Sequence, residues 1–138
     1  MTRINTIPVS ELSRQHLLAE HREIKRIPNT IKSGKAVIKN IPAEFTLGTG
    51  HVKFFYDKIG FLKKRYKEIH AQCLHRNYDM EDYSESFEGI DKYLMNDWTP
   101  TEESKRLIRQ RIVENNIKSD IKKQKKKMLK VKICIEIV

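Results

Sequence analysis

Cysteine is scarce in this sequence, and the two residues present, Cys73 and Cys134, lie far apart and form no C-x-x-C pair. A single disulfide between them stays open on the sequence, but reduced thiols in an intracellular protein are the expectation. No apolar run approaches the length of a membrane span, and the chain does not begin with a charged-then-apolar segment, so a soluble, cytoplasmic protein is expected. The stretch "LGTGHVKFF" has two glycines but lacks the G-K-[ST] of a phosphate loop, and a turn entering a helix explains it better. "NYDMEDYSE" has carboxylates without the spacing of a calcium loop. His16 and His21, like His70 and His75, are five apart and fall on different faces of a helix, with no H-E-x-x-H, so a metal site is not expected. No internal repeat is present. With 138 residues the chain has room for one domain with a real core and not for two.

What the sequence has in excess is positive charge, unevenly placed. Residues 1–40 carry 8 basic and 3 acidic side chains (+5), residues 41–117 carry 12 and 13 (−1), and residues 118–138 carry 8 and 2 (+6), which sum to the net +10. Two cationic ends around a nearly neutral middle attract polyanions, and nucleic acid is the leading partner class. Residues 79–103 hold 9 acidic side chains against the single Lys92, so this connector is expected on the side facing away from such a partner.

Periodicity predicts three main helices. The first spans "SELSRQHLLAEHREIKRI", with Ser10 as N-cap and "IPN" at 27–29 as its stop, because Pro28 disfavours helix at the residue before it. Leu12, His16, Ala19 and Glu23 share one stripe, a mixture that suits a helix buried on one side and meeting something polar on the other. The second, "HVKFFYDKIGFLKKRYKEIHAQCLHR", carries Phe55, Ile59, Leu62, Tyr66, Ile69 and Cys73 as one continuous apolar stripe and is the core helix, weakened slightly by Gly60. The third opens at "TPTEES", with Thr99 as N-cap, Pro100 at the first helical position and Leu107, Ile108, Ile112 and Ile117 as inner contacts. Beyond it, "KSDIKKQKKKMLKVK" is a lysine tract that is solvated or draped on a polyanion. "KVKICIEIV" alternates like a short strand, though no partner strand exists elsewhere, and a frayed tail fits equally well. The domain reading is therefore a helical domain over 1–117 and a basic tail over 118–138.

Two local features bear on chemistry. "MTRIN" places a small residue after the start methionine, so maturation would leave the free α-amine of Thr2. Arg22, Glu23 and Arg26 lie within little more than one helical turn, which on its own is an exposed ion-pair cluster worth under about 1 kcal/mol.

Together with "VSELSRQHLLAEHRE" at 9–23, "GHVKFFYDK" at 50–58 and the arrangement from Pro100 to Ile112, "MTRIN" resembles the phage-type pyrimidine-dimer DNA glycosylases of the endonuclease V class. The resemblance runs from residue 1 to about 117, with "NTIKSGKAVIKN" somewhat shorter than is usual in the family. It implies a compact all-α domain of three main helices with the N-terminal arm threaded between them. It implies a monomer that needs no cofactor and acts on double-stranded DNA bearing pyrimidine dimers or abasic sites. Carried over, Thr2 is the nucleophile whose amine attacks C1′ of the damaged nucleotide, and Glu23 the carboxylate that assists sugar opening and proton transfer. Loss of the base leaves an imine, and β-elimination breaks the strand on the 3′ side. Arg22 and Arg26 would hold flanking phosphates, and Arg3, Gln15, His16 and Arg111 match positions on the same DNA surface. The family exploits the ease of kinking DNA at a dimer and flips out a base opposite the lesion.

Physical chemistry agrees with the nucleophile: an α-amine has a pKa of about 7.7–8.0 against roughly 10.4 for lysine, and nearby arginines lower it further. More of it is therefore neutral and able to form a Schiff base without a separate base to activate it. The chain departs from the family at its end, where no aromatic follows Trp98, and at Asn115, where a basic residue is expected with Lys118 close by. Those departures bear on lesion preference and affinity, and they keep two other functions open: a lyase restricted to abasic sites, and a non-catalytic DNA-binding protein on the same scaffold.

Overall fold

The structure, a computed structural model, describes residues 2–137, with side chains described for residues 2–132. It is all helical; among the described residues there is no strand, only an isolated bridge between Lys58 and Met95. Five α-helices follow in order: α1 (Arg14–Glu23), α2 (Arg26–Lys32), α3 (His51–Phe54), α4 (Ile59–His75) and α5 (Glu102–Ile137). No helix among the described residues is long and apolar enough to cross a membrane.

The first predicted helix is divided at both ends of its span. Ser10 is not its cap: residues Val9–Glu11 form a 3-10 turn, and Leu12 is extended. The Arg76 guanidinium bridges this stretch, donating to the Leu12 carbonyl at 2.8 Å and, at longer range, to those of Val9 and Ser10. Those carbonyls are satisfied without a helix, and α1 starts at Ser13, whose hydroxyl accepts the His16 N–H at 3.3 Å. Nor does helix stop before Pro28. It breaks earlier, at Ile24–Lys25, and restarts so that Pro28 lies in the first turn of α2, where a missing N–H leaves nothing unsatisfied.

The second predicted helix is likewise two. Gly50 takes a left-handed φ of 90° as it caps α3, so "LGTGHVKFF" is the helix-entry turn its sequence suggested. After Phe54 the chain turns, and α4 carries the core stripe; Phe55, Ile59, Leu62, Tyr66, Ile69 and Cys73 are all buried. Gly60 has a specific reason: a Cβ there would stand 2.5 Å from the Met95 carbonyl oxygen, where the connector crosses and Asn96 accepts the Phe61 N–H. The acidic connector closes over α4, pairing Lys63 with Glu88 at 2.9 Å and Lys64 with Asp97 at 2.7 Å.

α5 is capped by Thr101 rather than Thr99: the Thr101 hydroxyl accepts the Ser104 N–H at 3.0 Å, and Ser104 donates back to the Thr101 carbonyl. Of its expected inner contacts Ile108 is fully buried and Ile112 packs at the core's edge, whereas Ile117 is exposed. The helix then continues to Ile137. The strand-like alternation at the end therefore does not form a strand, for the reason already visible in the sequence. An unpaired strand leaves its backbone groups without partners, whereas a helix satisfies them within one segment.

The leading arm runs through the middle of this framework. Ile4, Asn5, Thr6 and Ile7 are buried, and α1, α3 and α4 each supply a hydrogen-bonding side chain to it.

Candidate active site

Buried extended backbone needs partners, and the arm finds them in three charged or titratable residues. The Ile4 N–H is donated to Nε2 of His51 on α3 at 2.9 Å, and the other ring nitrogen faces the Thr46 carbonyl at 2.8 Å. His51 must therefore be neutral with its proton on Nδ1, and burial pushes its pKa down to about 4. The Glu20 carboxylate on α1 accepts both the backbone N–H and the side-chain amide of Asn5, at 3.1 and 3.0 Å. Arg65 on α4 completes the clamp: Nε and Nη2 donate to Glu20 at 2.7 and 3.1 Å, and Nη1 donates to the Ile7 carbonyl at 2.6 Å. Both charges are buried, and each is paired and multiply hydrogen-bonded, the condition under which such groups persist inside a protein.

On the outer side of this clamp lies a cleft of about 350 Å³ between the arm, α1 and α5. His16, Ala19 and Glu23 form its α1 wall, which explains the mixed stripe in the sequence. Arg3 enters from the arm, and Arg111 and Asn115 from α5. The Glu23 side chain is 15% exposed, with Arg22 and Arg26 at its rim, their guanidiniums 3.7 and 3.8 Å from Oε1 and more than half exposed. The Arg3 pKa is pushed down by burial and by the Arg111 guanidinium, and raised by Glu23, which locates these three charges in one field. Glu23 thus pairs with two solvent-facing arginines, Arg22 and Arg26, and shares the cleft with two half-buried ones, Arg3 and Arg111.

The sequence-predicted residues divide accordingly. Arg3, His16, Glu23 and Arg111 line the cleft, Arg22 and Arg26 join it through Glu23, and Thr2 is buried to 8% exposure directly before Arg3. Gln15 is exposed and is not among the lining residues. None of the acidic connector lines the cleft. Three residues that shape the site escaped sequence reasoning: Glu20, His51 and Arg65. A signal existed for two of them, since Glu20 lies within the buried Leu17–Ile24 stripe and Arg65 within the Leu62–Ile69 stripe, and charges in such stripes must be paired.

His21 and His70, from α1 and α4, meet at 3.0 Å between Nε2 and Nδ1, beside Tyr66 and Tyr83. Burial, then His70, pushes His21 down to about 4, which makes it a neutral packing group. Among the described residues no group of three or more His, Cys, Asp or Glu side chains comes together as a metal would need.

A helical domain whose buried leading arm contributes Arg3 to an acid-bearing, arginine-lined cleft is a protein shaped to handle a polyanion. The particular family follows: residues 1–85 match the family described as Pyrimidine dimer DNA glycosylase, and the chain belongs to that family. Its substrate is accordingly DNA carrying pyrimidine dimers. The match covers the arm and all of α1 to α4, whereas Arg111 lies outside it and reaches the cleft through α5.

Proposed function

We propose that this chain excises pyrimidine dimers as a DNA glycosylase coupled to an abasic-site lyase, with the Thr2 α-amine, freed by removal of Met1, as nucleophile. The observation that carries this is a cleft that Arg3, the residue after buried Thr2, shares with Glu23 and Arg111, with Arg22 and Arg26 paired to that Glu23. Burial disfavours the ammonium form of an amine, and like charges nearby act in the same direction. An α-amine, less basic than a lysine side chain, is the better suited of the two to forming an imine near neutral pH.

In the proposed sequence the nitrogen lone pair forms a bond to C1′ as the glycosidic bond breaks, and the base departs with that bond's electrons. Proton loss from nitrogen and ring opening give the imine. Removal of a C2′ proton then expels the 3′ phosphate, and water hydrolyses the imine to return the amine. Glu23 stabilises the cationic sugar and carries the protons. Arg22 and Arg26 hold phosphates on either side, while Arg3, His16 and Arg111 position the strand and Gln15 makes an outlying contact. Every group in the scheme belongs to the chain, the DNA or water, so no cofactor enters.

Borohydride reduction of the imine is the test. Covalent adducts on both dimer-containing and abasic duplexes are expected, with none from protein that retains Met1 or is acetylated at Thr2. A second reading, a lyase confined to abasic sites, is favoured by Asn115 in the cleft wall and by the lack of aromatics after Trp98. It predicts adducts on the abasic duplex alone; adducts on neither leave a non-catalytic DNA-binding protein.

A further inference from the structure

Every residue from Val113 to Lys132 is exposed, so beyond Asn115 at the cleft's edge α5 stands free of the domain body for about five turns. Its lysines are not spread at random around that free length. At about 100° per residue, Lys118, Lys122 and Lys125 fall within roughly 40° of Arg111, whereas Lys123, Lys127 and Lys130 are turned away by about 100–160°. Asp120, the one acid between Asn115 and Lys132, is half a turn round from Arg111. The exposed Val113, Ile117 and Val131 lie about 120–160° from Arg111 and Ile121 and Met128 about 80–100°, so within that row only Asn115 and Leu129 interrupt the cations up to Lys132.

We propose that the side of α5 bearing Lys118, Lys122 and Lys125 is a second duplex-binding surface, continuous with the Arg111 wall of the cleft, that grips undamaged DNA flanking the lesion. From Arg111 to Lys125 the helix rises about 21 Å, the length of about six base pairs, and duplex DNA offers roughly one phosphate charge per 1.7 Å along that distance. Charge complementarity selects the partner. The row also explains why a lysine-dense helix is retained: Lys118, Lys122 and Lys126 repel one another at four-residue spacing, and phosphates opposite them relieve that repulsion. The proposal rests on the proposed function only in taking Arg111 as a DNA contact.

Two triple variants of the full chain, equal in charge and in helix propensity, test it: Lys118→Gln/Lys122→Gln/Lys125→Gln, and Lys123→Gln/Lys127→Gln/Lys130→Gln. Binding to an undamaged duplex is measured between 50 and 200 mM salt. The first variant should make the log–log salt slope shallower by about 2–3, and the second should change it by less than 1. Equal changes in both would mean diffuse charge and overturn the proposal, as would no change in either. Tighter binding of the full chain to phosphatidylserine vesicles than to duplex would overturn it in favour of a membrane surface. Because intact DNA is used and no adduct is scored, a failure of Schiff-base chemistry and a failure of this surface give different results.

Discussion

The backbone N–H of Ile4 is donated to Nε2 of His51 at 2.9 Å, which ties the leading arm to α3 two residues beyond Thr2. The bond exists only while His51 is neutral, because a protonated ring would present an N–H to an N–H. A neutral imidazole held between Ile4 and the Thr46 carbonyl thus fixes where the chain's first residues lie relative to Glu23.

This arrangement predicts acid sensitivity with a definite sign. Folding lowers the His51 pKa from about 6.5 to about 4, so its contribution to stability is fully present above pH 6.5 and is lost as pH falls towards 4. Buried His21, also pushed to about 4, acts in the same window. Urea midpoints at pH 7, 5.5 and 4.5 should fall progressively. In His51→Gln, which keeps an acceptor oxygen but does not titrate, the decline should be shallower. An unchanged pH profile in that variant would remove His51 from the acid response.

The clamp beneath the cleft makes a second prediction. Arg65→Met leaves the Glu20 carboxylate buried and without its charge partner, and stability should fall by about 3–5 kcal/mol. Adding Glu20→Leu should recover part of that loss, since no uncompensated charge is then left inside. Recovery should be incomplete, because Asn5 loses the acceptor of its backbone N–H. Chemical denaturation of the two variants against the parent protein measures both effects.

How much of this was legible beforehand follows the range of the interactions. The α4 stripe from Ile59 to Cys73 was readable because one apolar face of one helix produces it, and every member, like Phe55 just before the helix, is buried. The resemblance carried by "MTRIN" and "VSELSRQHLLAEHRE" pointed to the pyrimidine-dimer glycosylases, and the family match over residues 1–85 agrees on the family. Breaks and caps were misplaced wherever a distant residue decided them: Arg76 takes the carbonyls that would have extended α1 back to Ser10, and the Met95 backbone crosses at Gly60. Glu20 and Arg65 are 45 positions apart, and no local pattern joins them. At the end of the chain, alternation over residues 130–138 left a short strand and a frayed tail equally open; with no neighbour to pair with, the backbone as far as Ile137 closes on itself as helix.

Gly60 makes a third prediction, independent of function. Gly60→Ala would raise helix propensity in α4, yet its Cβ would meet the Met95 carbonyl oxygen at 2.5 Å and the Asn96 carbonyl oxygen at 3.0 Å. Two backbone atoms cannot yield as a side-chain tip can, so the connector must shift. The loss should be about 1–3 kcal/mol, as for other overpacked sites, and thermal unfolding would detect it. A stabilised Gly60→Ala would show that this crossing is looser than the structure has it.

The Glu23 cluster separates binding from chemistry. Glu23 meets Arg22 and Arg26 only at 3.7 and 3.8 Å, and both arginines are largely solvated, so neither pair contributes more than about 1 kcal/mol to folding. Arg22→Ala and Arg26→Ala should therefore unfold within about 1 kcal/mol of the parent protein while binding DNA more weakly and with a shallower salt dependence. Glu23→Gln is the complement. It keeps the side chain's length and removes one negative charge from an arginine-rich cleft, so affinity for duplex DNA should hold or rise. Turnover should nevertheless collapse, because an amide can neither take up the migrating proton nor offset a cationic sugar. Equilibrium binding and single-turnover cleavage on the same dimer-containing duplex read the two effects separately. A Glu23→Gln protein that cleaves at the parent rate would leave the cleft as a phosphate-binding site and move the proton carrier elsewhere.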